Sequence, residues 1–360
     1  MIHARARILV TGATGFLGGA LVRRLHQDGY PVRASGRNLE KGAQLEALGI
    51  EFIKADLSNP SEVDLICKDM DIVIHSGAFS SLWGSPDDFW TSNVEGTRHM
   101  VEAILKHKVN RLIHISSPSV YFDFKDNENI REEASLPSRF VNEYTYSKYK
   151  AEEEVLKGVE KGLSCLILRP RALYGPGDTA IFPRILRTLE SARLKVIGSG
   201  ENLADLTYID NAVEACLCAL SVPIPQSGRI YNITDGTPLP LWPLLNQMAH
   251  QLGYPPPQKK VPLSIARFAA RFLERFHRLF RPHVEPLFTE YSVGILGYSL
   301  TLNIDRARIE LGYKPKVTSQ EGIQALLQWW NASNQKRESV SSSTLEPPLA
   351  PSSTPPSPLH

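Results

Sequence analysis

The sequence predicts an α/β protein built on a doubly wound parallel sheet, with a smaller mixed lobe after it. Two observations lead to this prediction: short β-branched runs alternate with helical patterns through the first half, and a glycine loop follows the first strand directly. Alternation of this kind favours parallel strands joined by right-handed helical crossovers. Of the 360 residues, 42% are hydrophobic, which excludes a fibrous or wholly disordered protein.

The first half supplies the predicted elements in a regular order. Helices are predicted at 17–26 and 94–106, between strands at 8–10, 31–35, 50–54, 72–75, 112–116 and 163–168. Six strands complete a doubly wound sheet. At roughly 150 residues per domain, the length favours two folding units.

The chain divides into three predicted segments. Residues 1–175 form a nucleotide-binding (Rossmann) domain, to which the segment of about 205–235 returns, and residues 176–334 form a substrate-binding lobe. From residue 335 the composition turns to Ser, Pro and Glu, which cannot bury enough apolar surface to offset chain entropy. We therefore expect 335–360 to be a disordered tail.

Charge and cysteine content exclude several classes of partner. Lys and Arg number 40 against 38 Asp and Glu, so no strong field attracts nucleic acid. The four cysteines form no CxxC pair, no His and carboxylate group has metal-ligand spacing, and no signal peptide or spanning apolar run is evident. We expect a cytoplasmic protein without a metal, soluble or peripheral on a membrane.

A glycine loop, TGATGFLG, joins the first predicted strand to the first helix. Gly12 allows a tight turn, Gly15 lets the backbone approach a pyrophosphate, and Gly18 lets the helix pack closely on the strand. The helix N-terminus presents free N–H groups to the anion. An ordinary glycine-rich turn is the alternative. The loop residues expected at a dinucleotide are Gly12, Thr14, Gly15, Phe16, Leu17 and Gly18.

The end of the second predicted strand, RASGR, lacks the Asp or Glu that binds the adenosine ribose hydroxyls in NAD enzymes. Arg37, with Ser35 beside it, is placed to pair with a 2′-phosphate, so we predict NADP as the preferred cofactor over NAD. The alternative is that Arg37 is only a solvated surface charge. After the third strand, Asp56 and Leu57 either contact the adenine or cap a helix.

Two Tyr-x-x-x-Lys pairs overlap in EYTYSKYK: Tyr144 with Lys148, and Tyr146 with Lys150. Helical phase favours the first pair, whose face continues into apolar residues, whereas the second pair shares its face with Glu and Lys. An ammonium one turn away stabilises a phenolate. We therefore expect the pKa of Tyr144 to fall from about 10, which makes the pair a usable acid/base.

A serine cluster, SSPSVY, follows the strand predicted at 112–116. It lies at the carboxyl edge of the sheet, where open α/β sheets bind ligands. One hydroxyl of Ser116, Ser117 or Ser119 is placed to hold a substrate carbonyl. Serines at strand ends are usually loop residues, but here the cluster stands between a glycine loop and a Tyr-x-x-x-Lys pair.

At this point the chain resembles the extended short-chain dehydrogenase/reductase family, over about residues 6–330. The matching motifs are TGATGFLGG, SSPSVY, YTYSKYKAE, RPRALYGPGD and DLTYIDN. The resemblance implies that Ser117 is the catalytic hydroxyl, that Tyr144 exchanges the proton, and that Lys148 binds the nicotinamide ribose and lowers the tyrosine pKa. It also implies four further cofactor contacts or supports: Gly77, Ala78, Asn93 and Pro170.

Within that family, the segments HSGA, LWG and NVEGT resemble the 3β-hydroxysteroid dehydrogenase branch, which includes sterol-4-carboxylate dehydrogenases and bacterial 2-alkyl-3-oxoalkanoate reductases. This implies hydride transfer between NAD(P) and a secondary alcohol or ketone of a hydrophobic substrate. Two alternatives stay open: a nucleotide-sugar epimerase or dehydratase with tightly held NAD, and an NADP-sensing regulatory protein that has lost the chemistry.

The segment 263–281 reads as a cationic amphipathic helix, with four arginines along one stripe and phenylalanines along the next. Such a helix either contacts a membrane surface or covers an apolar substrate. We favour a third interpretation, in which the aromatic rings pack on the lobe and the arginines are solvated. The expected partners are a small hydrophobic substrate and, as an open possibility, a second copy in a homodimer.

Overall fold

The computed structural model describes residues 6–223 and 227–343, with side chains up to residue 335. In this part of the chain the strands are β1 (Ile8–Thr11), β2 (Val32–Gly36), β3 (Glu51–Lys54), β4 (Ile72–His75), β5 (Arg111–Ile115), β6 (Asn127–Ile130), β7 (Cys165–Pro170), β8 (Leu173–Tyr174), β9 (Val196–Ile197), β10 (Leu203–Ala204), β11 (Thr207–Tyr208), β12 (Arg229–Ile233), β13 (Leu239–Pro240), β14 (Lys260–Val261) and β15 (Leu300–Leu302).

The helices in the described part of the chain flank the strands. They are α1 (Phe16–Gln27), α2 (Leu39–Glu46), α3 (Pro60–Cys67), α4 (Pro86–Phe89), α5 (Gly96–His107), α6 (Glu143–Glu160), α7 (Phe182–Glu190), α8 (Ile209–Ser221), α9 (Leu241–Leu252), α10 (Leu263–Phe280), α11 (Glu290–Gly297), α12 (Asp305–Glu310) and α13 (Ser319–Ser343). Within the described residues, no helix has both the length and the apolar character needed to cross a membrane.

The main sheet is parallel throughout and has the order β12-β7-β5-β4-β1-β2-β3. This confirms the doubly wound α/β fold, with the change of direction between β1 and β4. The predicted count of six strands is wrong, because β12 adds a seventh beside β7. Its RIYNI sequence carries the strand-forming residues Ile and Tyr, a signal that the irregular pattern around it obscured.

A second, mixed sheet has the order β13-β10-β15-β6, with β10 and β13 antiparallel. β6 comes from the first half of the chain, whereas β12 of the main sheet comes from the second half. Each sheet therefore takes strands from both sides of the boundary predicted at residue 175, and the division into two domains stays a prediction.

Local sequence explains the elements that frame the carboxyl edge of the main sheet. In α1 the residues Leu17, Leu21 and Leu25, four apart, are all buried against the strands. In α6 the residues Ala151 and Val155 are fully buried, as the predicted helical phase requires. The first turns of both helices border the same cavity, through Phe16 and Leu17 of α1 and Tyr144 and Lys148 of α6.

The C-terminal helix is longer than the composition suggested. Disorder was predicted from residue 335, but α13 continues through Ser343. Gln, Lys, Arg and Glu at 335–338 are good helix formers, so the composition signal begins later than assumed. The rest of the predicted tail, 344–360, lies outside the described residues.

Candidate active site

A cavity of about 860 Å³ opens at the carboxyl edge of the main sheet, between the loops after its strands and the segment 285–296. It gathers most of the sequence-predicted site residues in one place. Those that line it are Gly12, Thr14, Gly15, Phe16, Leu17, Gly18, Arg37, Asp56, Leu57, Gly77, Ala78, Ser117, Tyr144, Lys148 and Pro170.

The glycine loop adopts a conformation that other residues would not tolerate. Gly12 has φ +66°, and a Cβ there would lie 2.7 Å from the Cα of Gly77, so the loops after β1 and β4 touch through their backbones. A Cβ on Gly18 would lie 2.2 Å from the Gly12 carbonyl oxygen. Gly18 thus lets α1 pack against the loop itself, rather than against the strand as predicted.

The N-terminus of α1 fits a pyrophosphate. Its N-cap is Gly15, which supplies no side-chain hydrogen bond, and the first turn carries no acidic residue. The N–H groups at this end therefore face the cavity without a competing side-chain acceptor. The residues present fit the dinucleotide that the sequence predicts.

The adenosine end of the cavity is bordered by the residues that follow β2 and β3. A Cβ on Gly36 would lie 2.6 Å from Thr14 Oγ1, so an acidic side chain has no room there. Arg37 is 63% exposed, and its guanidinium lies 3.9 Å from the Asp56 carboxylate. Its side chain is therefore exposed at the border of the cavity, with Asp56 as its ion-pair partner.

The capping alternative for Asp56 is wrong. Its Oδ1 accepts hydrogen bonds from the backbone N–H and the hydroxyl of Ser58, at 3.0 and 2.8 Å. The cap of α3 is instead Asn59, which accepts from the Ser61 N–H. Asp56 and Leu57 both line the cavity, as the adenine alternative required.

Asn93 does not line the cavity but braces its wall. It is buried, and its amide bonds the backbone N–H and the carbonyl of Phe79 at 2.7 and 3.1 Å. It also donates to the hydroxyl of Ser147 on α6 at 2.9 Å. Asn93 therefore ties the loop after β4 to α6, which is the supporting role expected and not a cofactor contact.

The first of the two overlapping tyrosine–lysine pairs faces the cavity. Lys148 is 4% exposed, and its ammonium donates to the Ile115 carbonyl oxygen at 2.8 Å. Tyr146 is 37% exposed, and Lys150 forms an ion pair with Glu153. The structure therefore places Tyr144 and Lys148 beside the serine cluster and the other pair toward solvent.

Burial controls the acid–base properties of this pair. It raises the pKa of Tyr144 above its ordinary value of 10, and a hydrogen bond with Ser117 lowers that pKa only in part. Burial also lowers the pKa of Lys148 to about 8, against the opposing charge of Glu152. The expected fall in the tyrosine pKa is therefore wrong, because the loss of hydration outweighs the stabilisation of the phenolate.

We predict that turnover falls as pH rises through about 8, where Lys148 loses its proton. His75 on β4 and His114 on β5 stand within electrostatic range of Lys148, and burial followed by the Lys148 charge lowers both of their pKa values, that of His75 to about 3. Both rings are then neutral, and Tyr144 stays protonated. A pH profile of kcat/KM measures this, and a flat profile between pH 7 and 10 would contradict it.

A buried ion pair joins α6 to the main sheet. Glu152 on α6 and Arg169 on β7 form two hydrogen bonds, with side chains 4% and 3% exposed. The same guanidinium donates to the hydroxyl of Tyr121. This pair joins α6, which carries Tyr144 and Lys148, to β7, which ends at Pro170. It therefore helps to position α6 relative to the carboxyl end of β7.

Several cavity residues were not found from the sequence. Asp178 accepts three backbone hydrogen bonds at the start of α7. Asp178 and Arg171 both lie within the motif RPRALYGPGD, which is their only signal in the sequence and indicates no role for either side chain. Arg184 and Tyr291 carry no local signal, because each reaches the cavity from a distant part of the chain.

Comparison with known proteins shows the family of this chain. The pattern of the NAD dependent epimerase/dehydratase family matches residues 8–234. A 2-alkyl-3-oxoalkanoate reductase of Shewanella oneidensis is 34% identical over 88% of this chain and 84% of its own length. A 3beta-hydroxysteroid-dehydrogenase/decarboxylase of Arabidopsis thaliana is 30% identical over 92% of this chain and 82% of its own length.

Among solved structures, UDP-glucuronic acid 4-epimerase from Bacillus cereus, in complex with NAD, has a TM-score of 0.71 at 22% identity. The alignment covers 91% of this chain and 99% of the epimerase, and it shows a shared fold. From the glycine loop, the parallel sheet and these matches, the chain belongs to the NAD-dependent epimerase/dehydratase family and is an NAD(P)-dependent oxidoreductase of the branch that holds 3β-hydroxysteroid dehydrogenases and 2-alkyl-3-oxoalkanoate reductases.

Proposed function

We propose that this enzyme reduces the ketone of a hydrophobic 3-oxo acid with NADPH. The observation that carries the proposal is the composition of the cavity: Ser117, Tyr144 and Lys148 share it with a largely apolar outer wall. That wall suits an alkyl chain better than a sugar nucleotide. Its apolar members include Phe79, Leu82, Leu287, Ile295 and Leu296.

Each polar residue of the site has a defined task in this reaction. When bound, the dinucleotide supplies the hydride at its nicotinamide ring. The Ser117 hydroxyl orients the ketone oxygen, and Tyr144 donates the proton that this oxygen takes up. Lys148, fixed on the Ile115 carbonyl, keeps a positive charge next to the tyrosine and is placed to bind the nicotinamide ribose.

The protonation state of Tyr144 suits the proton-donating step of reduction. Because burial raises that pKa, the phenol keeps its proton at neutral pH and acts as an acid. Oxidation of an alcohol would instead require the phenolate as a base. The two directions place opposite demands on one group, and this site meets the demand of reduction.

The preference for NADP rests on Gly36 and Arg37. Gly36 leaves no room for the carboxylate that would repel a 2′-phosphate, and the exposed Arg37 guanidinium borders the cavity. We predict that Arg37→Ala raises KM for NADPH about 10- to 100-fold and leaves KM for NADH nearly unchanged, because one charge-assisted bond is lost. Initial rates with both cofactors measure this.

A matched control for that variant is Arg98→Ala. Arg98 is also a surface arginine, paired with Glu95, and it is absent from the cavity wall. Arg98→Ala should change neither the KM for NADPH nor the KM for NADH. An equal rise in KM for NADPH and NADH in the Arg37 variant would contradict the assignment to a 2′-phosphate.

The proposed activity is tested with a substrate panel. Purified protein is mixed with NADPH or NADH and with 2-alkyl-3-oxo acids, 3-oxosteroids or UDP-sugars, and the nicotinamide absorbance is followed. We expect oxidation of NADPH with the 3-oxo acids. Turnover confined to UDP-sugars would instead identify an epimerase or dehydratase, and a dinucleotide that binds without turnover on any substrate would favour a regulatory protein.

The exposed face of α10 supports membrane contact, against the interpretation favoured from sequence. Phe268 and Phe272 are 73% and 67% exposed instead of packed on the lobe. The arginines of the helix are not simply solvated: Arg267 and Arg271 both pair with Glu290. The helix therefore holds Arg267 and Arg271 toward α11 and leaves Phe268 and Phe272 exposed to solvent.

We infer that this aromatic face lies on an anionic membrane at the entrance to the cavity. Leu287, in the segment that follows α10, is 64% exposed and also lines the cavity, so the apolar surface continues inward. Arg275 and Arg281 form no ion pair among the described residues and suit anionic headgroups. A hydrophobic substrate would then enter directly from the bilayer.

We predict that the double variant Phe268→Glu and Phe272→Glu no longer sediments with vesicles that contain phosphatidylglycerol, whereas the wild type does. Two carboxylates on this face remove apolar contact and repel the anionic surface. Ile309→Glu is the control, because Ile309 is 81% exposed on a different helix. Wild-type protein that stays in the supernatant would contradict membrane binding.

A further inference from the structure

Arg171 is a buried arginine whose charge has no close partner. It is 6% exposed, lines the cavity and lies one residue beyond Pro170. Its Nε is buried without a hydrogen-bond acceptor, and the described residues place no carboxylate within ion-pair distance of the guanidinium. A buried and unpaired guanidinium is costly, which points to a missing anion.

The acidic side chain whose charge acts on Arg171 is already hydrogen-bonded elsewhere. Asp205 is buried and accepts the Leu302 N–H at 2.6 Å, and the Arg171 charge acts on it only over a longer distance. Arg184, which also lines the cavity but has a side chain 45% exposed, forms an ion pair with Glu285. Of these two arginines, only Arg171 keeps its full hydrogen-bonding capacity for a ligand.

Arg171 also lies near the reacting groups, because β5 and β7 are neighbours with Ile115 opposite Leu168, and Ser117 and Arg171 follow these paired residues at the same edge of the sheet. Tyr291 lines the same cavity, and both Arg171 and Tyr144 affect its pKa. Burial raises that pKa, the Arg171 charge lowers it, and Tyr144 raises it further. Tyr291 therefore stands within electrostatic range of the guanidinium and of the proton donor. A substrate that reaches Tyr144 can place an anionic group close to Arg171.

We propose that Arg171 binds the carboxylate of the substrate and so selects 3-oxo acids over neutral ketones. This inference rests on the proposed reduction of a ketone in the same cavity. In a 3-oxo acid a single carbon separates the ketone from the carboxylate, so both groups occupy the region between Tyr144 and Arg171. A planar guanidinium with free donors suits the two carboxylate oxygens.

The test compares one 3-oxo acid with its own methyl ester, so that only the charge differs. Wild-type enzyme should prefer the acid in kcat/KM, and Arg171→Met should lose about 10- to 100-fold on the acid and little on the ester. Arg171→Lys should recover part of the preference. Arg184→Met is the control, and the ratio of its kcat/KM for the acid to its kcat/KM for the ester should match that of the wild type.

Two further measurements test whether Arg171 binds the substrate carboxylate or the cofactor. The Kd for NADPH, from nicotinamide fluorescence, should be unchanged in Arg171→Met, and a weaker Kd would assign Arg171 to the cofactor and overturn the proposal. If the variant does not fold, the wild type decides: decanoate should compete with the 3-oxo acid, and methyl decanoate should not. Equal use of acid and ester by the wild type overturns the role of Arg171, whereas no turnover of either overturns the proposed function.

Discussion

The Tyr144→Phe enzyme is expected to lose about 10²- to 10⁴-fold in kcat, the usual contribution of a positioned proton donor. The substitution removes one hydroxyl and keeps the ring that packs near Phe89. Cofactor binding should therefore persist, since the glycine loop and Arg37 are untouched. Single-turnover oxidation of NADPH with a 3-oxo acid measures the loss directly.

Tyr146→Phe is the matched control for that substitution. It makes the same chemical change two residues along α6, at a ring that faces solvent. We expect wild-type turnover from this variant. Full activity in Tyr144→Phe, or an equal loss in both variants, would show that Tyr144 is not the proton donor.

Glu152→Ala is expected to reduce the free energy of unfolding by about 3–5 kcal/mol, because it leaves the buried Arg169 charge without its partner. Both side chains are at least 96% buried, so water cannot replace the lost carboxylate. The guanidinium would keep only its bond to Tyr121. Equilibrium denaturation in urea, followed by tryptophan fluorescence, measures the change.

The neighbouring Glu153→Ala is the control. Glu153 also pairs with a cation, Lys150, but that pair is about one third exposed and should contribute less than about 1 kcal/mol. Glu152→Gln should keep the hydrogen bonds in part and lower the pKa of Lys148 below 8, since Glu152 raises it. Equal stability of the Glu152 and Glu153 variants would contradict a structural role for the buried pair.

Much of the site could be predicted because its signals are local. Strand, glycine loop and helix are consecutive in the sequence. In the 18-residue helix α6, the apolar pattern along one face distinguishes Tyr144 from Tyr146 without tertiary information. These features depend on backbone geometry and on one amphipathic face, which neighbouring residues determine. The sheet edge then brings the loop and α6 together.

The remaining parts depend on contacts between distant segments. Tyr291 and Leu287 reach the cavity more than 100 residues after Tyr144, and no periodicity indicates where that segment lies. The pKa of Tyr144 could not be anticipated either, because the sequence shows the adjacent lysine but not the loss of hydration. For α10, both stripes were visible, but Glu290, which holds Arg267 and Arg271, lies on the next helix.

The pairing of β6 with β15 has a consequence during synthesis. The bond from the Ser299 N–H to Asp126 spans 173 positions, and at translation rates of about 5–20 residues per second the earlier strand waits roughly 10–35 s for its partner. Helix α6 leaves the ribosome well before the segment 285–296, which forms part of the same cavity wall. A nascent chain therefore displays an open nucleotide crevice and a bare strand edge, and is in that interval a natural client for chaperones.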